Sequence, residues 1–265
     1  MDLLREWAAW EHGEAPFMLE GDRSILTSQR SARALVTIRS WSTAHGADDF
    51  GAPGDTRLHL GLLPQPFCGD LRRASIYVLM LNPGLGWSDY YGEYEVAEYQ
   101  HALLGTLKQE FQQGSIPFLF LDPYFAWHGG FAWWHGKLSA VIGQLAAMWS
   151  IPFAAARARL GRELASIELV PYHSATFRDA GRWIQQLHSV ALARAFLQNI
   201  VIPRVERGEA IVIIARHAKA WSLPEHPRVV RYSGQEARAA HLSPESPGGR
   251  AILEHLVHLV STGAG

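Results

Sequence analysis

The sequence predicts an α/β protein: one three-layer α/β/α domain around a central, mostly parallel four-stranded sheet. Two observations predict it. Continuous apolar runs of strand length, rich in Ile, Val, Leu and Phe, suit strands buried on both faces, and stretches of helical periodicity alternate with them, as a doubly wound sheet requires. Hydrophobic residues make up 48% of the 265, and no long window is both Pro/Gly-rich and charged, so a packed core without a disordered tail is expected.

In chain order, residues 1–60 read as a helical and loop-rich N-terminal extension packed on the domain that occupies 61–265. The first strand is "SIYVLML" at 75–81. A periodic segment, "EYQHALLGTLKQEFQQG", runs from 98 to Gly114, a glycine being the usual helix stop. "IPFLFLD" at 116–122 is the second expected strand, "IELV" at 167–170 the third and "AIVIIA" at 210–215 the fourth. The long periodic stretch 180–208 ends at Gly208, and a weaker run, "RVVRY" at 228–232, follows Pro227.

A single cysteine, Cys68, excludes a disulfide framework, a thiolate zinc site and an iron–sulfur cluster, each of which needs several thiols, and makes a reducing cytoplasm the expected location. The N-terminus mixes acids with its apolar residues and does not read as a signal peptide. No apolar run of about 18 residues predicts a membrane span. A net charge of −1 argues against nucleic-acid binding by bulk electrostatics while leaving room for local patches, of which "AARARLGRE" at 155–163 is one; most such arginines serve as solvated helix faces.

In a parallel sheet ligands bind beyond the carboxyl ends of the strands. The residues found there are Asn82, Pro83 and Gly84; the aromatic "DPYFAWHGGFAWWH" at 122–135; "PYHS" at 171–174; Arg216 with His217; and, after the fifth run, "SGQEARAAHLSPESPGGR". The Trp-rich segment reads equally as a platform for bases or as packing anchors. Tyr172, His173 and Ser174 put three hydrogen-bonding groups at one strand end, suited to reading a base edge, although His173 reads equally as a structural histidine. His255 and His258 lie one helical turn apart among apolar neighbours, which favours packing over a metal site.

"LNPG" at 81–84 and "HLSP" at 241–244, in this order, together resemble the two signature motifs of the uracil-DNA glycosylase superfamily, whose GxNPG and HPSP-like segments follow the first strand and occupy a late loop. The resemblance spans about residues 65–255 and departs from the pattern at Met80, in place of the first glycine, and at Leu242, in place of a proline. It implies a uracil-DNA glycosylase-like fold and catalytic roles for Asn82 and His241. The chemistry agrees: hydrolysis of an N-glycosidic bond builds positive charge on the sugar and negative charge on the departing base. Asn82 would orient a water against the sugar, and His241 would donate to the carbonyl oxygen of the leaving pyrimidine. Pro83, Gly84, Tyr90, Tyr94, Tyr172, His173 and Ser174 would line the base pocket, with Tyr94 and then Tyr90 first among Trp87, Tyr90, Tyr91 and Tyr94 to stack on the flipped base. Ser243, Gly248, Gly249, Arg250 and Arg216 would meet the DNA backbone.

In the uracil-specific branch a tyrosine two places after the catalytic polar residue excludes substituents at C5. Gly84 occupies that place here, so the expected reaction is monofunctional excision of a modified pyrimidine, extending to hydroxymethylated or glucosylated cytosine in phage DNA as a defence activity. DNA is the expected partner, no cofactor or metal is needed, no obligate protein partner is implied and a monomer is expected. The alternatives are a uracil or thymine-mismatch repair glycosylase and a non-catalytic nucleic-acid-binding protein on the same fold. The sequence has no GxSxG elbow, no GxxxxGK[ST] loop and no GxGxxG after a strand, which excludes the corresponding hydrolase, nucleoside-triphosphate and dinucleotide classes.

Overall fold

The computed structural model describes residues 2–28, 35–47, 49, 50, 52, 54–177 and 183–261. Seven strands lie among them: β1 Leu35–Val36, β2 Leu58–His59, β3 Phe67–Cys68, β4 Ile76–Met80, β5 Leu164–Glu168, β6 Ile211–Ile214 and β7 Val229–Arg231. β1 and β2 pair in parallel as a two-stranded sheet. The other five form a mostly parallel sheet in the order β3-β5-β4-β6-β7, in which Ile76 to Leu79 face Ile211 to Ile214 and Val212 to Ile214 face Val229 to Arg231. Every residue of β4 and β6 is buried, the reason these runs are apolar without alternation.

The sheet therefore has five strands rather than four, and one expected strand is absent. Residues 116–122 form no strand: Leu119–Leu121 and Pro123–Phe125 are short 3-10 turns. Pro117 and Pro123 bracket the run and supply no N–H, so the chain closes on itself, with Leu121 N donating to Phe118 O at 2.9 Å and Asp122 N to Leu119 O at 3.1 Å. Phe118 to Leu121 are nonetheless buried, and apolarity reported burial correctly while saying nothing of conformation. β3, only two residues long, is too short to show a period. β5 spans Leu164–Glu168 rather than the expected 167–170: the buried Ser166 breaks the apolar run in the sequence but not the strand.

Residue contacts divide the chain into two compact units, the first Met1–Phe67, Leu81–Phe111 and Glu168–Phe196, the second Cys68–Met80, Gln112–Ile167 and Leu197–Gly265. The boundary expected near residue 60 does not separate them, because the N-terminal residues belong with 81–111 and 168–196. In the first unit the helix Leu3–Ala8, capped by the Asp2 carboxylate, packs on the helices Ala97–Lys108 and His188–Phe196. Ala97–Lys108 stops at Gln109, in the left-handed conformation at φ 57°, short of the expected Gly114. The stretch expected as one helix to Gly208 is broken into Ile184–Gln186, His188–Phe196, a π turn at Leu197–Val201 and Ile202–Glu206; residues 180–182 lie outside the described residues.

In the second unit the helix Pro247–Ser261 packs on β6, β7 and the helix Gly129–Trp149, which in turn carries Phe153–Glu163. Gly129–Trp149 buries Phe131, Trp134, Leu138, Val141, Ile142 and Leu145, the spacing of one helical face. Half of the aromatic segment 120–136 is thus the start of a helix rather than a loop. Among the described residues no single helix is long and apolar enough to cross a membrane.

Candidate active site

In the first unit three segments run side by side. His59 N donates to His173 O at 2.9 Å, Gln65 N to Pro171 O at 2.8 Å, Val170 N to Leu81 O at 2.9 Å and Ser174 N to Pro83 O at 3.4 Å. Residues 168–174 are thereby held between 58–66 and 81–83, which brings "PYHS" to the Asn-Pro-Gly turn.

Asn82 is half-buried, and its Nδ2 donates to Pro83 O at 2.8 Å, Ser174 Oγ at 3.0 Å and Tyr172 O at 3.2 Å. Two of these three are carbonyls, which only accept, so the orientation of the amide follows from its neighbours. Oδ1 makes no hydrogen bond to a described residue. The amide nitrogen is anchored and the oxygen is available as a fixed acceptor.

Beside it, His173 Nδ1 lies 2.7 Å from Gly84 O, a carbonyl that only accepts, so Nδ1 carries a proton and donates; Nε2 is buried and has no hydrogen-bond partner among the described residues. Gly84 is exposed, and a Cβ built on it meets nothing within 4 Å. Pro83 is buried.

Tyr172 serves the scaffold instead of a base edge. Its hydroxyl donates to the buried Asp22 carboxylate at 2.6 Å and accepts from Leu19 N at 3.2 Å, and burial followed by the Asp22 charge pushes it well above the ordinary phenol range. Tyr90 and Tyr94 are similarly engaged. Tyr90 is fully buried with its hydroxyl 3.0 Å from His59 Nδ1; Tyr94 lies parallel to it at 6.1 Å and donates to Gly61 O at 2.6 Å. Both belong to a packed cluster with Ala44, Phe50 and Leu62. The exposed aromatic surface of this unit is made by Trp87 and Tyr91, with Trp41 edge-on to both at 6.2 and 5.6 Å and Phe50 against Trp87 at 4.1 Å.

Sequence reasoning missed a charged group in the segment bonded to His173. Arg57 grips Asp55 with two nitrogens at 2.9 Å each and holds its carboxyl down at about 2. Asp55 Oδ2 lies 3.7 Å from His59 Nε2, and burial, opposed by that carboxylate, takes His59 down to about 4. His59 is a neutral, buried ring between Tyr90 and Asp55. It belongs to no motif, and only its place in a segment bonded to "PYHS" marks it.

In the second unit His241 is exposed, and its backbone oxygen accepts from the Tyr232 hydroxyl. That hydroxyl also accepts from Gly248 N at 3.0 Å, while Gly249 N donates to Ser246 Oγ at 3.0 Å. The two amides expected to meet a phosphate are therefore already capped, as the start of the helix Pro247–Ser261 requires. Their glycines serve close packing: a Cβ on Gly249 would stand 1.8 Å from Ser243 O, and one on Gly248 2.6 Å from the Tyr232 hydroxyl. The Arg250 guanidinium donates to Glu245 O. Ser243 presents a hydroxyl with no hydrogen-bond partner among the described residues, and Arg216 follows the end of β6 by two residues.

Among the described residues no group of three or more His, Cys, Asp and Glu side chains is placed to hold a metal ion. No family model, curated protein or solved structure gives a significant match to the chain, so its chemistry is read from these side chains.

Proposed function

We propose that the chain is a monofunctional DNA glycosylase of the uracil-DNA glycosylase type, a cytoplasmic monomer on that superfamily's three-layer fold. It would excise a pyrimidine that carries a group on C5. The observation that carries the reading is the anchored Asn82 amide, whose nitrogen is taken by Pro83 O, Tyr172 O and Ser174 Oγ and whose oxygen is left to accept a hydrogen bond from water. Water so oriented adds its oxygen to C1′ as the bond from C1′ to the base nitrogen breaks. The departing base takes the electron pair, and His241 is the donor to its carbonyl oxygen that the resemblance implies. A preplaced acceptor of the kind Asn82 offers lowers the barrier without reorganisation. Neither signature segment, 81–84 or 241–244, contains a lysine for a Schiff base, which supports simple hydrolysis over strand cleavage.

The open space at Gly84 supports a C5-substituted substrate, and hydroxymethylated or glucosylated cytosine of phage DNA, met in antiviral defence, is its largest natural form in this reading. The engagement of the Gly248 and Gly249 amides favours a second reading, a nucleic-acid-binding protein without catalysis.

The test incubates the protein with DNAs carrying plain, uracil, hydroxymethylated or glucosylated cytosine positions, scores abasic sites and identifies released bases by mass spectrometry. Release of a C5-modified base, lost in Asn82→Ala, supports the proposal. Release of uracil or mismatched thymine alone converts it to a repair glycosylase; no release from any DNA leaves the binding protein.

A further inference from the structure

We propose that Lys137, Arg216 and His217 in the second unit form a binding site for a phosphodiester of single-stranded DNA, a proposal that rests on the nucleic-acid reading above and adds a place where the strand is held. Arg216 and His217 lie two and three residues beyond the carboxyl end of β6. Arg216 is half-buried, its Nε is shielded from solvent, and it makes no hydrogen bond or ion pair with a described residue. A guanidinium nitrogen shielded from water without an acceptor is unfavourable, and an oxyanion is what satisfies the fork of donors.

Lys137 comes to the same place from the helix Gly129–Trp149. Its Nζ donates to Ala239 O at 2.6 Å and stands 5.4 Å from the centre of the Trp133 ring, so the ammonium is positioned while two of its three protons remain to be shared. His217 is held in the left-handed conformation at φ 50° and ψ 50°, a backbone state costly for a residue with a Cβ and frequent at ligand sites. Burial, then the charge of Arg216, pushes both Lys137 and His217 below their ordinary ranges, and no carboxylate opposes the effect at either. Lys137 and Arg216, with the exposed His217 beside them, thus gather without a carboxylate among the described residues to neutralise them.

Nucleic acid, rather than a small phosphate, is indicated by what surrounds the cluster in sequence and space. The Trp133 face lies under Lys137, and the same segment exposes Tyr124 and Trp127 at 60% and 41% of their surfaces. Aromatic faces interleaved with cations are how unpaired strands are held, each base stacking while each phosphate is neutralised. The near-neutral chain, with net charge −1, makes a local cluster of this kind the place where phosphate binding must be concentrated.

Fluorescence anisotropy with short single-stranded and duplex oligonucleotides across a salt series tests it, with inorganic phosphate as competitor and base release measured on the same preparations. Lys137→Ala and Arg216→Ala are each expected to weaken single-strand binding about tenfold and to lower the salt slope by about one, alike for all sequences. Lys137→Arg, which keeps the charge, is expected to bind as wild type, and unchanged circular dichroism separates lost contact from lost fold. Unchanged affinity in both alanine variants would overturn the site, as would a wild type that binds inorganic phosphate but no oligonucleotide, or neither. Base release with unaffected variants would sink this site and leave the glycosylase; binding lost in the variants without base release would sink the glycosylase and leave the site.

Discussion

The two segments that drew the resemblance are built to opposite plans. At Asn82–Gly84 the backbone is tied down and the side-chain atoms are left open: Asn82 Oδ1 has no partner among the described residues and Gly84 has nothing within 4 Å of a built Cβ. At Ser243–Arg250 the reverse holds. The glycines are filled space, with Ser243 O 1.8 Å from a Cβ on Gly249, and the amides are spent on Tyr232 and Ser246. A proline-and-glycine motif after an apolar run therefore carries two meanings, an opening for a ligand or a close approach of chain to chain. Substitution distinguishes them.

The largest expected effect is on chemistry at the open segment. Asn82→Ala should lower base release by roughly 10²–10³, the loss typical of one preplaced polar group, while unfolding midpoints move little. A fall in activity matched by a fall in stability would show that Asn82 belongs to the closed plan as well. Next comes the packed segment. Gly249→Ala should destabilise by about 2–3 kcal/mol in urea unfolding, because its new methyl meets backbone rather than a flexible side chain. Gly84→Ala should stay within about 0.5 kcal/mol. Equal costs at the two glycines would erase the contrast.

Acid tests the segment bonded to His173. His59 sits near 4 in the fold against 6.5 when unfolded, so between those values the unfolded chain binds more protons. Stability attributable to His59 is present above about 6.5 and lost as pH falls toward 4, a contribution on the order of 3 kcal/mol. Urea unfolding over that range should show a slope that flattens in His59→Asn; an unchanged slope would remove His59 from this role. A smaller effect belongs to Tyr232→Phe, which strips the hydroxyl shared by His241 O and Gly248 N. It should cost about 1–2 kcal/mol in unfolding free energy, the usual price of buried groups left unpaired. The smallest effect on stability is expected for Gly84→Tyr, which should leave the midpoint in place and bias release toward bases without a C5 group. Unchanged selectivity would show that Gly84 does not border the base.

Much of the frame was legible in the chain. β4 and β6 are continuous apolar runs because both faces of the sheet are covered, and the turn Asn82-Pro83-Gly84 could be placed at a carboxyl end from that alone. The run 116–122 misled for the same reason, since burial is what its apolarity encodes and Pro117 and Pro123 decide the winding. The aromatics were legible as a group and not one by one. Tyr90, Tyr91 and Tyr94 share a helix, and only the packing of Ala44, Phe50 and Leu62 on Tyr90 makes it a support while Tyr91 stays exposed.

By itself, then, the sequence determined where chain direction changes, which runs are buried and which residue types stand at the strand ends, because local propensity and burial are written in residue type and order. Tertiary structure alone decided the state of each functional atom: that Asn82 keeps its oxygen free, that Tyr172 is bound to Asp22, that His59 lies against Tyr90 and Asp55. These pairings join residues up to 150 positions apart, and no period or motif spans such a distance. Hydrogen bonds and desolvation act through space, so the chemistry of a side chain is fixed by whichever neighbours the fold delivers to it.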